Sequence, residues 1–100
     1  MIKHVVMWTI KEGIDGKTKE QNILRLKVML DDLVGKIPEI KELEVGVNYN
    51  ASPAAYDLVL YSVFKDKEEL AIYQDHPDHV KVKEFVAKVA DKRAVVDYEV

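Results

Sequence analysis

The chain has 100 residues, of which 48% are hydrophobic, the size and makeup of one small domain with a modest core. It has no cysteine, so disulfides, thiolate catalysis and cysteine-ligated metal sites are excluded. The formal net charge is -3 with both signs mixed along the chain, which argues against a nucleic-acid partner, since that needs clustered positive charge.

Ile2 to Ile10 is a β-branched and aromatic run ending at Lys11-Glu12-Gly13, and it reads as a strand. The start has no signal-peptide core, and no apolar run is long enough to span a membrane. A soluble cytoplasmic protein with no membrane partner is therefore expected. From Gly16 to Lys36, the residues Ile23, Leu26, Leu30, Leu33, Val34 and Ile37 follow one helical stripe, with Gly35 and Pro38 as stop signals. Residues 40–50 alternate, with Leu43, Val45, Val47 and Tyr49 on one side and Glu42, Glu44 and Asn48 on the other, a strand with one buried face. Residues 50–54, including Pro53, make a turn, and 55–65 a third strand. Asp66 then caps a short helix, with Glu69 three residues on as in a capping box, and Leu70 and Tyr73 share one of its faces. Pro77 suits the first position of a longer helix reaching about Ala90, and residues 93–99 form the last strand.

The order β-α-β-β-α-β predicts an α+β, ferredoxin-like domain over residues 1–100, with both helices on one face of an antiparallel sheet. A sheet with one wet face should alternate apolar and polar residues. The first strand does not: Ile2, His4, Val6, Trp8 and Ile10 lie on one face, yet Val5 and Met7 lie on the other. The third strand likewise sets Tyr56, Leu58, Leu60 and Phe64 against Val59, Tyr61 and Val63. Two helices cover only one face, so a second copy is the expected cover for the other, as a homodimer packed sheet to sheet.

Counted from Pro77, His79 falls on one arc with Val82, Phe85, Val86 and Val89. A group that titrates near neutral pH thus stands where a hydrophobic residue is expected. His4 shares its strand face with Val6 and Trp8. If that face meets the helices, the two imidazoles approach each other with the Tyr73 hydroxyl near, and together they supply a proton acceptor, a donor and an orienting bond. The alternative is a satisfied hydrogen-bonded cluster in the core. His76 is expected to cap the helix or face solvent. His76 and His79 have no third ligand at motif spacing, so no metal is expected. The four glycines are scattered and form no phosphate loop, and no cofactor is implied. An open cavity lined by Trp8, Leu30, Leu58 and Phe85 would favour a small organic ligand, whereas a closed one would favour packing.

These features resemble the stress-responsive A/B barrel domain, a dimeric α+β-barrel family that includes plant stress-responsive proteins and the olivetolic acid cyclase type of polyketide cyclase. The matching pieces are Ile2-Lys3-His4-Val5-Val6, Ile37-Pro38 with Val45-Gly46, Tyr56, Phe64, Tyr73 with His76-Pro77-Asp78-His79, and Asp97-Tyr98. The resemblance implies a subunit whose sheet pairs with a partner's to form a barrel, and a pocket between helices and sheet. It also implies the cyclase roles: His79 as catalytic base, Tyr73 on the substrate carbonyl and His4 as a contributor. Those cyclases carry out a cofactor-free intramolecular aldol condensation of a linear polyketide thioester. This chain departs from them in having Leu58 in place of a strand histidine and Leu30 in place of a pocket tyrosine. Three readings follow. One is a cofactor-independent acid/base enzyme acting on a small carbonyl compound. The second is a non-catalytic stress-related or ligand-binding dimer. The third, a monooxygenase-like member of the wider superfamily, rests on fold analogy.

Overall fold

In the computed structural model, which describes residues 1–100, the chain runs through β1 (Ile2–Ile10), α1 (Lys19–Asp31), β2 (Glu42–Val47), β3 (Leu58–Phe64), α2 (Lys67–Asp75), α3 (Pro77–Val89) and β4 (Ala90–Glu99). The four strands form one antiparallel sheet in the order β2-β3-β1-β4, the ferredoxin-like arrangement expected from the element order. No helix is long and apolar enough to cross a membrane.

Strand β1 sits at the centre, and its residues alternate between buried and half-buried along its whole length. Ile2, His4, Val6, Trp8 and Ile10 form the buried set and face the helices. Across β3 they meet Phe64, Ser62, Leu60 and Leu58 in register, and Val6, Leu60 and Phe64 join one core with Leu26, Leu30, Tyr73 and Val89. The opposite face carries Val5, Met7, Val59 and Tyr61, all half-buried although no helix covers them.

The helix boundaries follow their caps. Helix α1 starts at Lys19 and not at Gly16, because Thr18 accepts a hydrogen bond from the Gln21 amide while the Gln21 side chain accepts one from the Thr18 amide. Ahead of it the chain turns through Gly13 and Gly16, whose φ angles of 69° and 68° suit glycine. At its far end the last turn tightens into a 3-10 segment at Asp32–Gly35. That change of pitch keeps Leu33 and Ile37 in the core but turns Val34 out to 53% exposure, off the stripe where the helical period had placed it. Asp66 caps α2 by accepting from the Glu69 amide. His76 caps α3 through its ring, which accepts from the Asp78 amide, and Pro77 occupies the first turn.

Strand β2 is shorter than its alternation suggested. Pairing with β3 stops at Val47, Asn48 and Asn50 fold into a side-chain-bonded turn, and Tyr49 is 100% exposed. Only Val45 on this edge strand is buried, because an alternating pattern is buried only as far as another layer covers it. Strand β3 begins at Leu58, so Tyr56 precedes it and does not lead its inner face. Strand β4 begins at Ala90, directly after α3.

Candidate active site

Between α3 and the β1–β4 margin lies a half-open cleft of about 450 Å³. Its floor is the inner face of β1, with His4, Val6 and Trp8, extended by Leu60 of β3, and the exposed Arg93 of β4 stands at its open margin. Its wall is one side of α3, where His79, Val82, Lys83 and Val86 recur at helical spacing. Gln74 at the end of α2 and Leu30 of α1 close the ends. The cleft exists because the helical layer stops short of β4. Val6 is 1% exposed, while Val95, its neighbour across the pairing on the same face, is 45% exposed.

His4 and His79 both reach this cleft, as expected from placing the His4 face inward. His4 is buried, and its Nδ1 is hydrogen-bonded to the Asp97 carboxylate, its register partner on β4. The Ser62 hydroxyl donates to the His4 carbonyl at 3.1 Å and ties that point of β1 to β3. Since a carboxylate accepts, Nδ1 carries the proton of this bond. His79 donates from Nδ1 to the Gln74 carbonyl oxygen at 3.2 Å. This satisfies a carbonyl left without an intrahelical partner at the end of α2. A neutral His79 therefore keeps its lone pair on Nε2. Burial pulls its pKa down to about 4, against the pull of the Gln74 carbonyl, and Lys83, His4 and Arg93 lower it further by charge repulsion. At neutral pH His79 is an uncharged hydrogen-bond acceptor.

Tyr73 lies behind the histidines and not on the cleft wall. It is 0% exposed, its ring centroid is 4.2 Å from that of His79 and 6.3 Å from that of His4, and its hydroxyl has no hydrogen-bond partner. Burial holds that hydroxyl above the usual phenol range, so it remains a neutral donor. Of the residues expected to line a cavity, Trp8 and Leu30 do so. Leu58 and Phe85 do not line this cleft, and Leu58 instead borders a separate hollow beside Val47 and Tyr49. Leu58 is core at the far end of β3, and Phe85 is core beneath the Arg25 guanidinium, 4.6 Å from its ring centroid.

Four polar residues of this region carried no role in the sequence reading: Gln74, Lys83, Arg93 and Asp97. Lys83 had a usable signal, because it stands one helical turn beyond His79. Asp97 was marked only as part of the Asp97-Tyr98 piece of the family resemblance and Arg93 by nothing, since only the β1–β4 register sets them opposite His4 and Trp8.

Comparison with known proteins agrees with this architecture. Residues 2–100 match the model of the stress responsive A/B barrel domain. The chain is 30% identical over 98% of its length to a stress-response A/B barrel domain-containing protein of Arabidopsis thaliana, of which it spans only 36%. It is 29% identical to a second Arabidopsis thaliana protein of the same description, covering 98% of this chain and 88% of that one. Among solved structures, a dimeric protein of unknown function and ferredoxin-like fold from Bacteroides fragilis superposes with a TM-score of 0.84 at 30% identity, covering 99% of this chain and 95% of that one. A hydroxynitrile lyase from Passiflora edulis superposes with a TM-score of 0.80 over 97% of this chain and 90% of that one, and at 20% identity it shares the fold alone.

Proposed function

This chain belongs to the stress responsive A/B barrel domain family, and from that premise we propose that it forms a small cytoplasmic homodimer in which each protomer offers a cleft for acid/base work on a small carbonyl compound, without a cofactor. The observation that carries this reading is the convergence of His4 and His79 on one half-open cleft, with the unpartnered hydroxyl of Tyr73 packed behind them. In this reading His79 Nε2 takes a proton from the carbon next to the carbonyl. Tyr73, sealed behind the cleft wall, backs the His79 imidazole without touching the substrate, and Asp97 positions His4. Support for the dimer comes from the half-buried apolar outer face and from the dimeric solved relative.

A second reading, a non-catalytic ligand-binding dimer, is favoured by one observation. Burial makes His79 a weak base and Tyr73 a weak acid, a pairing suited to hydrogen bonding more than to proton transfer. The test is deuterium uptake at the methyl group of acetophenone in D2O, followed by proton NMR. Acceleration by the wild type, absent in a dimeric and folded His79→Ala variant, is the expected result. Acetophenone that binds without any gain in exchange would overturn the enzymatic reading in favour of the second.

A further inference from the structure

The cleft is electropositive in a chain whose net charge is negative. Two of its lining residues, Lys83 and Arg93, are cationic, and no aspartate or glutamate lines it. Neither cation takes part in an ion pair, although the chain forms such pairs elsewhere, as Lys19 does with Asp57 and Lys88 with Asp15. Asp97, the register partner of His4, lies outside the lining and is already engaged by that histidine. Lys83 and Arg93 come from different elements, α3 and β4, yet both line the one cleft that His79 enters. Both are exposed, while Val6, Leu60 and Val82 beneath them are buried and apolar. Depth in the cleft therefore runs from charged at the mouth to apolar at the floor.

We infer that the cleft selects an amphipathic anion, an organic carboxylate whose apolar body lies over Val6, Leu60 and Val82 and whose charged end is held between Lys83 and Arg93. This rests on the reading of the cleft as a ligand site and adds its charge preference. A carboxylate there gains two partners that have no competing acid, and it faces little of the repulsion that a net charge of -3 would otherwise impose. A carbonyl on the same molecule would lie further in, towards the imidazoles.

The experiment compares two fluorescent probes that differ only in charge, anilinonaphthalene sulfonate and the same arylamine without its sulfonate. Trp8 is the only tryptophan and lines the cleft, so its indole N–H resonance reports binding there and not on the sheet's outer face. The sulfonate probe is expected to shift that resonance and to bind about tenfold more tightly than the neutral one, the size of two part-exposed charge pairs. That advantage should shrink as salt is added to the wild type, and shrink again in a Lys83→Gln/Arg93→Gln double variant. If both probes shift Trp8 with equal affinity and no salt dependence, the cleft is a ligand site and the anion preference is wrong. If neither shifts Trp8, the ligand-site reading falls and this inference with it.

Discussion

The Tyr73 ring lies against the His79 imidazole, with centroids 4.2 Å apart and planes inclined by 37°, and Phe64 packs on the same tyrosine at 4.8 Å. The histidine is thus backed by an aromatic wall on one side and tied to the Gln74 carbonyl at Nδ1. Its environment is dry enough to disfavour its charged form and fixed enough to aim its other nitrogen. Much of what the cleft can do follows from this pair.

His79 should titrate with a midpoint of about 4, below its ordinary 6.5. Between those values the unfolded chain binds the proton and the folded chain does not, so stability falls as pH drops from about 6.5 towards 4 and is unaffected by this group above about 7. An NMR titration of the His79 ring protons gives the midpoint directly. Denaturant melts at successive pH values should show a smaller acid slope in His79→Gln. A ring that titrates near 6.5 would mean that the cleft is wetter than its geometry implies.

Tyr73→Phe removes a buried hydroxyl that bonds to nothing. The variant should be as stable as the wild type, or more stable by up to about 1 kcal/mol, since an unsatisfied buried group carries a desolvation cost. A loss of more than that in urea melts would reveal a partner for the hydroxyl in solution.

Asp97→Ala strips the buried His4 ring of its carboxylate partner. A cost of about 1–3 kcal/mol is expected, as for an orphaned buried donor, and Asp97→Asn should recover part of it because the amide oxygen still accepts. Equal stability of all three proteins would show that His4 is held by β1 and Ser62 alone.

For the dimer, Val96→Glu is the informative change. Val96 pairs with Val5 on the outer face and is 58% exposed in the protomer, so a charge there harms only an interface. Val5→Glu on the same face should act in the same way. Val63→Glu is less useful, because Val63 is 6% exposed and its loss strains the protomer itself. Sedimentation should show a folded monomer for Val96→Glu and a dimer for the wild type. A wild-type monomer at micromolar concentration would overturn the sheet-to-sheet packing.

Periodicity determined a good deal here. The helical stripe through Ile23, Leu26, Leu30 and Leu33, the cap at Asp66 and the proline at the start of α3 are local matters, settled by residues within a few positions of one another. The two-sided apolar pattern of β1 was equally plain, but it has no sign. When both faces are apolar, neither the Val5–Met7 set nor the His4–Val6 set is marked as inner. Only the packing of the helices, α1 included, over the sheet made the His4 face the inner one. The same limit hid the cleft's polar equipment. Asp97 is 93 residues from its partner His4, and Arg93 meets Trp8 through the β1–β4 register alone. Sequence patterns report what a residue's near neighbours demand of it, whereas a site assembled across strands depends on pairing that no local pattern encodes.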